Sequence, residues 1–258
     1  MIFTTIPLLT CLIFAMIYPL CFWISFQDPL KNKFHKFHVG IANFVGGVAV
    51  VWALLIDISF QSKCLILIWK AVLLSTSRYV WKKEYPNPLL MTVPCVIGLG
   101  VFSIVQKELV APGWPITFIG ILAGVILCSS IFAMNLGHWY LNVHGLPIHH
   151  LLRAVYVFWF FLIIRAIWDI KFLFLNSINF HGEFIPVTSF LFKMDGILLT
   201  MALLFGTFFP MISLYFVKET LKVKSTQSAT GILYVILIAV LIGDLTYKFY
   251  LIKYGIVL

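Results

Sequence analysis

Eight apolar runs, each near the length an α-helix needs to cross a bilayer, take up most of this chain and leave little else to fold. A hydrocarbon core about 30 Å thick asks for about 20 consecutive apolar residues in a helix. Runs of that kind lie at residues 2–26, 39–60, 64–80, 88–105, 114–136, 151–170, 197–217 and 231–252. Backbone N–H and C=O groups in hydrocarbon must be satisfied within their own segment, and a helix does this. No polar stretch is long enough for a soluble domain. Of the 258 residues 62% are hydrophobic and 10% are charged, which is far from soluble usage. The expected fold class is therefore all-α: a polytopic transmembrane helix bundle of about eight spans. Pro94 and Pro210 fall inside runs and are expected to kink them.

The net charge of +9 is distributed in a way that sets orientation. Lys31, Lys33 and Lys36 follow the first run, and Arg78, Lys82 and Lys83 close the third. Arg153 follows the fifth, and Lys218, Lys222 and Lys224 follow the seventh. The alternate connections carry mostly single cations: Lys63, Lys107, Lys171 and Lys193. The positive-inside rule then places the first set in the cytoplasm and both termini on the non-cytoplasmic side. Cations spread over short loops suit anionic lipid headgroups as partners, not nucleic acid. The opening MIFTTIPLLTCLIFAMIY lacks a basic leader and is expected to stay as the first span. Cys11, Cys21, Cys64, Cys95 and Cys128 lie scattered in apolar runs, as buried thiols do. The Phe-rich connection 176–195 is expected to lie on the membrane surface or against a partner. Trp81, Tyr85, Trp114, Trp139, Tyr140 and Trp168 sit near run ends, where interfacial anchors belong.

A weak internal echo suggests a 4+4 arrangement with halves near 1–110 and 111–258. Residues 35–57 and 146–169 each open with two close histidines and close on an aspartate, Asp57 or Asp169.

Residues 134–169 concentrate the polar chemistry. His138, Trp139, Tyr140 and Asn142 stand at the end of the fifth run, with Asn135 and His144 near them. His149, His150 and Arg153 begin the sixth. A quinone headgroup needs hydrogen-bond donors, an aromatic wall and a proton acceptor near water, and this set offers all three. A polar cluster that only fastens helices together fits the same residues. A b-type haem would take one ligand from His35 or His38 and one from His138, His149 or His150. Interfacial histidines that reach for water are the plain alternative.

The second constellation is intramembrane charge: Lys70, Arg165, Asp169, Asp244 and Lys248. Arg165–Asp169 and Asp244–Lys248 are i,i+4 pairs, so each can neutralise itself on one helix. Asp244 lies about 12 Å inside its run at about 1.5 Å per residue, too deep for a short side chain to reach water. It needs a cationic partner or a proton. These residues suit either structural pairing among the third, sixth and eighth spans or a path for protons or ions. The entry to the last run, LKVKSTQSATGILY, offers capping hydroxyls beside Lys222 and Lys224, a site for ordinary capping or for an anion.

The stretches LGHWYLNVHGLP and STQSATGILYV resemble a family of uncharacterised bacterial inner-membrane proteins in which GHWYL and TQSATGILY recur. The resemblance covers the second half and implies a multi-pass protein of a bacterial inner membrane, without implying an activity. The eight-span outline is also similar to membrane anchor subunits that pass electrons to quinone, and to haem A synthase with its two four-helix halves. The chain departs from the latter because its second-half histidines are not on paired helices. Three functions fit these features. One is a membrane-anchor subunit of a respiratory-type redox complex, with a quinone or b-haem site near the cytoplasmic side and other subunits as partners. The others are a small ion-coupled transporter and a structural assembly subunit.

Overall fold

The computed structural model describes residues 2–25, 34–84, 87–143 and 146–258. Lys31, Lys33, Tyr85 and His144 lie outside the described residues. Eight helical segments are long and apolar enough to cross a membrane: Ile2–Ser25, Phe34–Leu55, Phe60–Trp81, Pro88–Leu109, Trp114–Asn142, His149–Leu175, Met194–Lys222 and Thr226–Tyr254. The chain is an all-α, multi-pass membrane protein. Several helices outrun the apolar stretches that announce them. The second begins at Phe34 rather than at residue 39, and the fifth continues past residue 136 to Asn142. Hydropathy falls at the first polar residue, whereas a helix keeps its hydrogen bonds until a cap or water replaces them.

The chain divides into two compact units, Met1–Cys128 and Ser129–Leu258, with the division inside the fifth helix. In the first unit α1 (Ile2–Ile17) runs into a 3-10 stretch, Tyr18–Ser25. Pro19 stands at the start of that stretch and has no N–H to continue the α-helical ladder. Helices α2 (Phe34–Leu55), α3 (Phe60–Trp81) and α4 (Pro88–Leu109) follow, and then the first part of α5 (Trp114–Asn142). Helix α1 packs on α2 and α4, α2 packs on α3, and α3 packs on α4. The buried side chains of Leu8, Leu12, Ile13 and Met16 make α1 the centre of this unit. Gly124 of α5 permits a close crossing, since a Cβ there would lie 2.3 Å from Ile13 Cγ1. At the start of α3 the Glu108 carboxylate accepts from the Ser59 N–H, from Ser59 Oγ at 2.9 Å and from Ser62 Oγ. An anion there complements the helix dipole.

The second unit holds the rest of α5, α6 (His149–Leu175), a hairpin of β1 (Ser177–Phe180) and β2 (Glu183–Pro186), and α7 (Val187–Phe190). Helix α8 (Ile197–Leu203), a π turn (Leu204–Phe208), α9 (Phe209–Lys222) and α10 (Thr226–Tyr254) complete it. Helix α10 packs against α8, the π turn and α9, while α6 packs against α9. The hairpin pairs Ile178 with Ile185 and turns at His181 (φ 55°) and Gly182 (φ 88°). Positive φ at both central residues matches the twist of the strands. Residues 176–195 therefore have structure of their own. Ile178, Val187 and Phe190 join Leu199, Tyr247, Tyr250 and Ile256 in one core, while Phe184 and Phe192 remain exposed.

The two prolines behave differently. Helix α4 is unbroken through Pro94, whose carbonyl accepts from Trp69 Nε1 at 3.0 Å. Pro210 cannot donate to the carbonyl one turn back, and its ring presses on that carbonyl. The π turn directly before it takes up the mismatch by widening the helix. None of the five cysteines is in a disulfide.

Candidate functional site

The most demanding chemistry in the second unit lies where α6, the π turn and α10 meet. Arg165 and Asp169 stand one turn apart on α6, which puts them on one face. Arg165 Nε donates to Asp169 Oδ1 at 2.9 Å, and the two residues are 2% and 0% exposed. The other carboxylate oxygen is held from two further elements. Thr207 of the π turn donates its hydroxyl to Asp169 Oδ2 at 2.8 Å, and Tyr247 of α10 donates at 3.3 Å. The two hydroxyls are 2.9 Å from each other, so a carboxylate and two hydroxyls close a triangle. The Arg165 guanidinium also lies 4.0 Å over the Tyr247 ring, a cation–π contact in a desolvated place.

The local sequence explains why these groups converge. A Cβ on Gly243 would fall 2.3 Å from Gly206 Cα, so backbone meets backbone where α10 crosses the π turn. Thr207 follows Gly206 directly, and Tyr247 lies one turn beyond Gly243. The glycine contact thus sets the hydroxyls within reach of each other and of Asp169. One guanidinium nitrogen, Arg165 Nη2, is buried and has no hydrogen-bond partner among the described residues. The guanidinium thus keeps donor capacity in a buried site.

A second pair stands next to the crossing. Lys248 Nζ donates to Asp244 Oδ1 one turn away on α10, and both residues are buried. The cationic partner that the depth of Asp244 demands comes from its own helix. Lys70 differs from expectation. It belongs to the first unit, where it donates to the Asn43 carbonyl at 2.6 Å and to Asn43 Oδ1 at 3.3 Å. Its acceptors are amide oxygens of α2, the backbone carbonyl and the side chain of Asn43. A lysine on a long stem reaches a neighbouring carbonyl, so it needs no carboxylate.

The histidine-rich residues separate by unit. His35 and His38 lie on α2 in the first, whereas His138, His149, His150 and Arg153 lie on α5 and α6 in the second. The His38 ring centroid is 4.1 Å from that of Phe34, 5.4 Å from Phe37 and 5.6 Å from Tyr18, whose hydroxyl meets His38 Nδ1 at 2.7 Å. His38 is thus packed among aromatic rings, with Nδ1 engaged by the Tyr18 hydroxyl. His35 is buried in the same first turns of α2. Among the described residues no group of three His, Cys, Asp or Glu is placed to hold a metal ion.

At the end of α5 the GHWYL and TQSATGILY stretches meet. Gly137 lies against Thr230, whose Oγ1 would be 2.7 Å from an added Cβ, and His138 Nδ1 meets the Tyr234 hydroxyl at 3.2 Å. His138 and Tyr234 are both exposed, and the Asn142 side chain donates back to the His138 carbonyl at 3.1 Å. Tyr140 OH donates to the Pro147 carbonyl, which fastens the start of the next connection. Trp139 is half-buried, His150 is buried with the His149 ring 4.2 Å away, and Arg153 is half-buried. Thr207, Tyr247, Thr230 and Tyr234 were not singled out from sequence as partners. For Thr230 and Tyr234 a signal exists, their i,i+4 spacing within TQSATGILY. Compared with protein-family models, with curated proteins and with solved structures, the chain matches none.

Proposed function

We propose that the chain is a small proton-coupled membrane carrier for a solute bearing a carboxylate or similar anionic group. The observation that carries this reading is the Arg165–Asp169–Thr207–Tyr247 network, with one guanidinium nitrogen left over. Ionisable groups within membrane-crossing helices are functional by default, and π turns recur at functional sites. The chemistry follows from charge balance. A proton delivered to Asp169 neutralises the carboxylate that now holds Arg165. An anionic solute then takes the place of that carboxylate at the guanidinium. One proton and one anion enter together, so the net charge of the buried site is unchanged and the cost of an unpaired buried charge is avoided. The Gly206–Gly243 crossing has no side chains to interlock and supplies a surface on which the helices slide. The cation distribution and the resemblance of the second half support a bacterial inner membrane, with both termini non-cytoplasmic.

The test is uptake by proteoliposomes of radiolabelled short mono- and dicarboxylates, driven by an acid-outside pH gradient. Accumulation that collapses with the gradient is expected, and Asp169→Asn should abolish the gradient dependence. Wild-type vesicles that accumulate none of the panel, or an Asp169→Asn protein with full gradient-driven uptake, would sink the reading.

The His138–Tyr234 seam favours a second reading: a quinone-reactive subunit of a redox complex. A hydrogen-bonded imidazole and phenol on an exposed helix seam beside Trp139 suit a lipophilic headgroup arriving from the bilayer. Extraction of the purified protein and assay for bound quinone tests it. A stoichiometric quinone lost on Tyr234→Phe would favour this reading over transport.

A further inference from the structure

A groove of about 560 Å³ opens between α2 and α3 of the first unit, a volume in the usual range for a bound small molecule. Its lining is graded along α3. Leu74, Arg78 and Lys82 follow one another at i,i+4 spacing and all line it, so one stripe passes from apolar to cationic. The cationic end coincides with the end of α3 at Trp81 and its cap at Lys82. The apolar end is continuous with the part of the helix that crosses the membrane.

Gly40 of α2 lies opposite and adds no side chain; a Cβ there would only reach 4.0 Å from the Trp81 ring. The floor is a polar relay. Asn43 Nδ2 donates to Ser77 Oγ at 2.7 Å, and Lys70 Nζ donates to Asn43 Oδ1 at 3.3 Å. The side chains of Arg78 and Lys82 are exposed and make no hydrogen bond or ion pair with any described residue.

We infer that this groove binds one anionic glycerophospholipid. Its phosphate sits between Arg78 and Lys82, and an acyl chain runs past Leu74. Two uncompensated cations at a membrane boundary select a net negative headgroup over a zwitterion. The apolar continuation selects a lipid over free phosphate, which has nothing to place there. The inference is independent of the proposed transport chemistry, which lies in the other unit.

The full chain would be reconstituted in nanodiscs of equal phosphatidylcholine and phosphatidylglycerol, extracted in mild detergent, and its retained lipid counted by native mass spectrometry. Wild type should retain phosphatidylglycerol in preference to phosphatidylcholine. The Arg78→Gln/Lys82→Gln protein should lose that preference roughly thirtyfold, the ratio that corresponds to about 1 kcal/mol for each cation. Gly40→Leu, which fills the groove and leaves both charges, should lower retention of both lipids. Lys63→Gln, outside the groove, should change nothing. Equal retention of the two lipids by wild type would overturn the inference, as would an unchanged preference in the double variant. Displacement of the lipid by millimolar inorganic phosphate alone would assign a free-anion site and overturn it too.

Discussion

Thr207 and Asp169 are 38 residues apart in the chain, and the Thr207 hydroxyl lies 2.8 Å from the Asp169 carboxylate. The hydroxyl comes from a π turn and the carboxylate from the last two turns of a long helix, so the bond ties an irregular element to a regular one. Thr207→Val keeps the shape of the side chain and removes the donor. Asp169 Oδ2 then depends on Tyr247 alone, at the longer distance of 3.3 Å. The expected loss is about 1–3 kcal/mol, the range for leaving a buried acceptor short of a partner. Thermal unfolding in detergent reads it directly. A Thr207→Ser protein should keep most of the wild-type stability, and a failure of serine to rescue would mean that packing of the methyl group matters, not the bond.

The glycine crossing makes a sharper prediction. Gly243→Ala places a methyl group 2.3 Å from Gly206 Cα, against backbone that cannot rotate away. Helix α10 and the π turn must separate, and the 2.9 Å spacing of the Thr207 and Tyr247 hydroxyls must lengthen with them. Overpacking of this kind is destabilising by about 1–3 kcal/mol. Gly231→Ala, on the same helix with nothing near an added Cβ, should instead be neutral or stabilising by up to about 1 kcal/mol from helix propensity. Equal melting temperatures for the two variants would contradict the close approach.

What could be read in advance divides along physical lines. The spans were legible because hydrocarbon imposes a length and a composition on any helix that crosses it. Arg165–Asp169 and Asp244–Lys248 were legible because a one-turn spacing on one helix needs no knowledge of packing. Thr207 and Tyr247 were not. They are ordinary hydroxyl residues in apolar runs, and their role exists only once α6, the π turn and α10 are assembled. The π turn itself has a cue in Pro210, but that proline equally suggests a plain kink. Lys70 shows the same limit from the other side. Its charge is obvious in the sequence, whereas its partner Asn43 depends on which helix lies next to it.

The seam between the GHWYL and TQSATGILY stretches can be tested without knowing the activity. Gly137→Leu drives a branched side chain into Thr230, which already stands 2.7 Å from an added Cβ. The ends of α5 and α10 should part there, and the His138–Tyr234 bond should break. Hydrogen exchange over residues 134–142 and 226–236 should rise together. Tyr234→Phe removes only the bond and should raise exchange far less. If Gly137→Leu leaves both segments as protected as in wild type, the seam is not a structural contact.

The pair Asp244–Lys248 separates stability from function by a double-mutant cycle of four proteins. Lys248→Met removes the cation that holds Asp244 Oδ1, and Asp244→Asn removes the anion that holds Lys248. Each single change should cost about 3–5 kcal/mol if the remaining group stays charged. The double variant, Asp244→Asn with Lys248→Met, buries no charge at all and should recover most of that loss. Melting temperatures of the four proteins give the coupling directly. Under the carrier reading, the double variant also asks whether this second pair takes part in uptake. A folded, stable double variant that retains gradient-driven uptake assigns Asp244 and Lys248 to architecture and leaves Asp169 to carry the proton. One that folds as well as wild type but no longer transports makes the second pair part of the path.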